Sequence, residues 1–219
     1  MSTRVALVRH GATTLTAEDR FAGSTDVELS ETGRAQAQAL AARLAAVPLA
    51  AVYASPLRRT LATASILAEP HGLTPIGRDG LREIDHGHWE TLTRAEVEAR
   101  FASEYDAWEQ DPFAFAPAGG ESGAHVMARA LPVLREIVVA HEGASVAVVS
   151  HKATIRLLLC ALLGIDARGY RDRLDQAPAC LNVLEFNGPV RARLMAYNDV
   201  SHYASAPRRP EGQLSKWWQ

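Results

Sequence analysis

Apolar positions in the chain gather into short unbroken runs set between longer helical stretches. Val5-Ala6-Leu7-Val8 is such a run, and it stops at Arg9-His10-Gly11. Runs of this length without alternation mark strands buried on both faces, as in parallel sheets. Val146-Ala147-Val148-Val149 repeats the plan and stops at Ser150-His151, and Ala51-Val52-Tyr53-Ala54 is a third example. Two further strand patterns lie near 181–186 and 190–196. Ser30 caps a helix predicted over 31–46, which Pro48 ends. A second helix runs from Leu57 to Ala68 and closes at His71-Gly72, ahead of Pro75. Residues 79–92 read as loop, 93–108 as a polar helix, and Pro112 with Pro117-Ala118-Gly119-Gly120 as a turn-rich connection. Ser122 reads as the cap of a long helix reaching His141, with Gly143 at its stop, and an apolar helix covers 153–163. Strands alternating with helices predict an α/β fold, a three-layer α/β/α sandwich on a mostly parallel central sheet. No repeat, low-complexity stretch or linker divides the chain. The expected organisation is one catalytic domain over 1–205 and a tail over 206–219 that holds Trp217 and Trp218.

Composition narrows the function classes. The 219 residues are 47% hydrophobic and 22% charged, values of an ordinary globular protein rather than a disordered or disulfide-built one. A formal net charge of −2 gives no general attraction to nucleic acid or anionic lipid, and no basic stripe stands beside an aromatic platform. Cys160 and Cys180 match no metal spacing. Arg4 follows Met1 too closely for a signal peptide, and no apolar run reaches the roughly 18 residues a membrane span requires. A cytoplasmic protein is expected. A second copy of the chain is a candidate partner through the apolar stretch 131–140 or the Trp217-Trp218 pair.

Both VALVRHGAT and VAVVSHKATIR are buried strands that end in a histidine just before a glycine or a helix start. Ligands of open α/β sheets sit at the carboxyl ends of the strands, where helix N-termini present free N–H groups to anions. His10 and His151 are therefore expected at one sheet edge, with Arg9 beside the first. That constellation suits an anionic substrate. Leu7-Val8-Arg9-His10-Gly11-Ala12-Thr13 resembles the signature of the histidine phosphatase superfamily, which includes the cofactor-dependent phosphoglycerate mutases. Further likenesses follow in order: Phe21-Ala22-Gly23 through Gln36-Ala37, Ser55-Pro56-Leu57-Arg58-Arg59-Thr60, Leu81-Arg82-Glu83 with Gly87, Gly119-Gly120-Glu121-Ser122, and Val149-Ser150-His151. Together they cover roughly residues 4 to 186.

The resemblance implies a phosphoglycerate mutase-like fold and catalysis through a phosphohistidine on His10. Neutral imidazole is a good nucleophile toward phosphorus and leaves it readily, which splits one hard displacement into two easier ones. Arg9 and Arg59 supply forked donors for the phosphoryl oxygens. His151 adds a third cationic donor when protonated. Glu83 donates a proton to the leaving oxygen and then serves as base for water, which requires a raised pKa. Thr13 adds a hydroxyl, and Gly11 and Gly23 allow close backbone approach to the phosphate. Thr16 stands where an amide is common in the family. Lys152 stands where glycine is common, and both are candidate phosphate contacts. No metal or other cofactor is expected. His86 and His88 are expected as loop histidines at the pocket mouth, Arg58 as a solvated helix residue and Ser122 as a helix cap. Asp85 is the rival to Glu83.

The implied activity is hydrolysis of a small phosphorylated metabolite, on the phosphatase branch to which Trp89-Glu90 is similar. The stretch Phe21 to Gly33 looks mutase-like and keeps a bisphosphoglycerate-dependent mutase as the alternative. Residues 91–117 argue against that alternative. They carry Arg94 and Arg100 against Glu96, Glu98, Glu104, Asp106, Glu109 and Asp111, an acidic lid expected to repel a doubly phosphorylated cofactor. A phospho-ligand binding module without catalysis is the third reading, disfavoured because Arg9, His10, Arg59, Glu83 and His151 are all present.

Overall fold

The computed structural model describes residues 2–17 and 20–204, and the side chains of Thr16 and Ala17 lie outside that description, as does the 205–219 segment. The elements in chain order are β1 (Thr3–Arg9), α1 (Thr14–Ala17), α2 (Glu31–Leu44), β2 (Leu49–Ala54), α3 (Arg58–Ala68), β3 (Ile76–Gly77), α4 (Arg94–Arg100), α5 (Ala102–Gln110), α6 (Gly123–Ala140), β4 (Ser145–Ser150), α7 (Lys152–Leu163), α8 (Tyr170–Arg173), β5 (Leu181–Asn187) and β6 (Arg191–Asp199). The strands form one mixed sheet in the order β3-β2-β4-β1-β5-β6. β1 pairs in parallel with β4, and β2 in parallel with β4 and β3, whereas β5 joins antiparallel to both β1 and β6. The parallel half of the expectation covers the strands that end in histidine. The antiparallel half is built by the two C-terminal strands.

Alternation within the unbroken apolar runs feeds two cores. Val5, Leu7, Val146 and Val148 face Leu134, Ile137, Ile155 and Leu158 of α6 and α7. Ala6, Val8, Ala147 and Val149 face Leu40, Ala41, Ala64 and Leu67 of α2 and α3. The inner residues of β1, β2 and β4 thus bury their side chains in one layer or the other. Each fully buried Val or Leu contributes about 1.5–3 kcal/mol of transfer free energy. This is the three-layer sandwich.

The helix over 93–108 is two helices. Phe101 breaks it with φ −134° and ψ 46°. The break lets Val97, Tyr105 and Trp108 close with Phe21 and Trp89 into a separate apolar cluster above the sheet edge, packed by Leu92, Phe101 and Phe115. Thr93 and Glu96 form a capping box at the start of α4. Ser122 caps α6 as expected, with His125 closing the box. Four of the six carboxylates of this segment are engaged within the fold. Glu96 pairs with Arg20 at 3.3 Å, His88 with Glu104 at 2.9 Å, and Glu109 with Arg171 at 3.1 Å. Asp111 accepts from the N–H groups of Phe113 and Ala114. The acidic-lid expectation is corrected to this extent: Glu96, Glu104, Glu109 and Asp111 hold the segment together, whereas Glu98 and Asp106 are exposed.

Candidate active site

β1 and β4 lie side by side with Arg9 opposite Ser150, so the next residue of each strand is a histidine. The ladder continues one step further, the N–H of His10 donating to the Ser150 carbonyl at 3.0 Å. The two imidazole centroids stand 5.2 Å apart, with ring planes at 63°. Both rings are buried, His10 at 6% exposure and His151 at 0%.

Hydrogen bonds assign the two tautomers. His10 Nδ1 lies 2.7 Å from the Gly11 carbonyl oxygen, which can only accept. The proton therefore sits on Nδ1, and Nε2 carries the lone pair. Burial pushes the His10 pKa well below the ordinary imidazole value, and the neighbouring Arg9 and Arg59 charges push it lower, with the Gly11 contact opposing. At His151, Arg59 Nε donates to Nδ1 at 3.3 Å, and Nε2 lies 2.8 Å from Ser55 Oγ. A ring that accepts at Nδ1 is neutral. Burial first, then Arg59, His10 and Arg9, hold its pKa well below the ordinary range. The resemblance gives His151 a cationic role only when it is protonated, and in this arrangement the ring is neutral. Its Nε2–H faces Ser55 Oγ, and Arg59 is the chief charge acting on the ring.

The two arginines are held differently. Arg9 is buried at the end of β1 and gives Nη1–H to the Gln176 carbonyl at 2.6 Å, while its buried Nε has no partner. Gln176 is fixed by a reciprocal amide pair with Asn182 on β5, at 3.0 and 2.7 Å. Arg59, in the first turn of α3, gives Nη1–H to the Thr25 carbonyl at 2.7 Å, and Nη2–H groups to those of Gly23 at 2.8 Å and Ala22 at 3.3 Å. It offers an anion its charge more than a free fork of N–H groups. Its neighbour Arg58 is mostly exposed and pairs with Asp26 and Glu28, as a surface residue does.

Glu83 meets the N-terminus of α7. Oε1 accepts from the N–H groups of Ile84 at 3.0 Å and Thr154 at 3.1 Å and from the Thr154 hydroxyl at 3.1 Å; Oε2 accepts from the Ala153 N–H at 3.1 Å. A proton donor needs hydrogen on one oxygen, and Oε2, with a single contact, is the oxygen with room for it. Asp85, its rival, binds the Gly87 N–H at 2.8 Å and so serves the loop. His86 packs edge-on against Phe21, and His88 pairs with Glu104, so the two flanking histidines diverge.

Several expected phosphate contacts have other duties. The Gly11 N–H is given to Thr63 Oγ1 at 3.1 Å, and a Cβ at Gly11 would lie 2.3 Å from the Gly33 carbonyl oxygen. The Gly23 N–H is given to Glu90 at 2.9 Å, and a Cβ there would lie 1.8 Å from the Ile84 carbonyl oxygen. Both positions exclude a side chain because backbone packs on them, and neither N–H is open to phosphate. Thr13 is buried beside the site. Thr16 falls in α1 with its side chain outside the described residues. Lys152 opens α7 directly after His151.

The sequence reading missed Glu90, Ser55 and Gln176. Glu90 accepts from the N–H groups of Gly23 at 2.9 Å and of Ser24, Thr25 and His86 at 3.1 Å each. It thereby fixes the loop whose carbonyls hold Arg59. These bonds hold its pKa below the usual carboxylate range although burial opposes them. The signal in the sequence was the Trp89-Glu90 pair, read there only as a branch marker. Thr91, next in the chain, stands at φ 69°. This left-handed conformation strains a β-branched residue and would cost glycine nothing.

The sequence profile of the Histidine phosphatase superfamily (branch 1) matches residues 5–200. Phosphoserine phosphatase 1 of Hydrogenobacter thermophilus is 38% identical over 163 residues, covering 74% of this chain and 77% of that protein. A glucosyl-3-phosphoglycerate phosphatase of Mycobacterium tuberculosis is 38% identical over 175 residues, with coverages of 76% and 78%. A bifunctional protein of Mycobacterium tuberculosis is 40% identical over 186 residues, and the chain spans 50% of its length. Among solved structures, Bacillus stearothermophilus YhfR superposes with a TM-score of 0.86 at 33% identity, over 91% of this chain and 98% of that one. A native mycobacterial glucosyl-3-phosphoglycerate phosphatase superposes with a TM-score of 0.82 at 32% identity, over 90% and 99%. Fold, paired histidines and relatives define a phosphoric monoester hydrolase. The chain belongs to the histidine phosphatase superfamily, branch 1.

Proposed function

We propose that this enzyme hydrolyses small phosphorylated metabolites through a phosphohistidine on His10. The observation that carries the reading is the His10 tautomer: a neutral buried ring with its Nε2 lone pair unprotonated, between two guanidinium groups and 5.2 Å from a second imidazole. Nε2 attacks phosphorus, the P–O ester bond breaks, and Glu83 gives its proton to the leaving alkoxide. Water then attacks phosphorus, its proton passes to Glu83, and the P–N bond breaks to release phosphate. Arg9 and Arg59 stabilise charge on the equatorial oxygens, and His151 adds its Nε2–H once that donor turns from Ser55 Oγ to the phosphoryl group. The fold lowers the barrier by preorganisation, since neither arginine must be drawn from water at the moment of reaction. Phosphatases acting on phosphoserine and on a glucosyl-phosphoglycerate among the relatives support a metabolite substrate over a polymer.

The test is phosphate release from p-nitrophenyl phosphate by the wild type and by His10→Ala. The variant is expected to lose more than about a thousandfold in kcat. Equal rates would overturn the nucleophile. The mutase reading is tested with 3-phosphoglycerate, with and without bisphosphoglycerate. Fast isomer interconversion with negligible phosphate release would replace hydrolysis by phosphoryl shuttling.

A further inference from the structure

Resting on that reading of the pocket, we infer that Lys152 and Arg156 form a subsite for a second anionic group, and that the substrates are phosphomonoesters carrying a carboxylate close to the phosphoryl group. Three observations place the subsite. Lys152 follows His151 directly, and Arg156 lies one turn further along α7, on the same helix face. The Lys152 ammonium makes no hydrogen bond or ion pair with the described residues. Arg156 is more than nine-tenths buried, yet its Nε has no partner, and its one carboxylate contact is Asp175 at 3.3 Å. Asp175 adjoins Gln176, whose carbonyl holds Arg9. The 175–176 dipeptide thus ties Arg156 to the same wall as Arg9.

Charge at this wall is unbalanced. Four cations, Arg9, Arg59, Lys152 and Arg156, are set against two carboxylates, Asp175 and Glu83. A phosphate dianion is matched by Arg9 and Arg59. It leaves Lys152 and the spare Nε of Arg156 without a counter-ion. Cations grouped in this way repel one another and lose hydration, and the Lys152 pKa is pushed down to about 7, by burial first and then by Arg156 and Arg9. A carboxylate on the substrate satisfies these groups, and a planar two-oxygen acceptor suits a lysine and an arginine set side by side. An uncharged alcohol leaves them unpaired.

The experiment uses two phosphonates that cannot be hydrolysed. 3-Phosphonopropionate and propylphosphonate differ only in a terminal carboxylate. Their affinities for the wild type, Lys152→Met and Lys152→Arg are measured by calorimetry at pH 6.5. The wild type is expected to bind the carboxylated probe roughly tenfold more tightly. Lys152→Met should bring the ratio near unity, and Lys152→Arg should keep most of it. Equal affinities in the wild type, or a preference undiminished in Lys152→Met, overturn the subsite; the first of these needs no variant to fold. Turnover plays no part in the measurement. A carboxylate preference in a protein that releases no phosphate would support the subsite and sink the phosphatase mechanism.

Discussion

Replacing Glu90 by glutamine leaves the size of the side chain and removes the charge that four backbone N–H groups share. The loop 22–25 then loses its anchor, and the carbonyls of Ala22, Gly23 and Thr25 no longer fix Arg59. Glu90 is a positioning residue, since its own contacts are all to the loop and to His86. Glu90→Gln is expected to lower kcat/KM by roughly 10–100-fold, because each charge-assisted bond lost is worth about 1.5–3 kcal/mol. Inhibition by inorganic phosphate should weaken in parallel, which a mere loss of folded enzyme would not produce. Residues of this sort are poorly legible in a sequence. His10 and His151 announce themselves because each ends an apolar run. Glu90 sits in a loop, and its partners lie 65 to 67 residues away or in its own turn. The glycines illustrate the opposite difficulty: Gly11 and Gly23 stand out in the sequence, but whether they face ligand or neighbouring backbone is a three-dimensional fact.

Elements meet most closely where the end of β1 passes the first turn of α2. A Cβ at Gly33 would lie 2.1 Å from the Ala12 carbonyl oxygen, the mirror of the clash at Gly11. Ser30, the α2 cap, donates to that same carbonyl through both its N–H and its hydroxyl, and Gln36 receives the Ala12 N–H. Helix and strand end are thereby locked together next to the nucleophile. Gly33→Ala is expected to cost about 1–3 kcal/mol through overpacking, with Tm falling roughly 2–4 °C for each kcal/mol. Because the strand end must shift, kcat should fall as well, and assays below the lowered Tm separate the two effects. The principal strands and helices were legible within a few residues, since burial on both faces and capping are local signals. The break at Phe101 was not. Residues 93–108 have helical propensity throughout, and only the closure of Trp108 onto Phe21 and Trp89 makes two short helices better than one.

The whole molecule keeps two imidazoles neutral inside its core, and its stability must respond to acid. In the unfolded chain these rings take up a proton near the ordinary value of about 6.5. In the fold both pKa values lie well below that. Between the folded values and about 6.5 the unfolded state binds more protons, so stability is full above this window and declines as the pH falls through it. Each ring contributes a slope of up to about 1.4 kcal/mol per pH unit. Thermal melts should therefore show Tm falling from pH 7 to pH 5.5. His10→Asn should remove part of that fall, the rest being carried by His151 together with His86 and His202, whose pKa values burial also lowers, and a wild-type profile flat over this range would contradict the neutral pair. Composition and motif order made the class of the molecule readable. The protonation of His151 was not, because it depends on which atom of Arg59 points at the ring.

The spacing of the reacting groups has an origin outside their own chemistry. His10 and His151 are one step beyond a registered pair of neighbouring parallel strands, and strands in any sheet lie about 4.8 Å apart. The interval between the rings is therefore a ruler cut into the peptide backbone itself. Insertions in the aromatic cap or a new loop after Gly87 can re-aim the catalyst at other esters without touching that interval. A single residue added to either strand would destroy it. Diversification of such a scaffold is free around the rim and forbidden along two short stretches of chain.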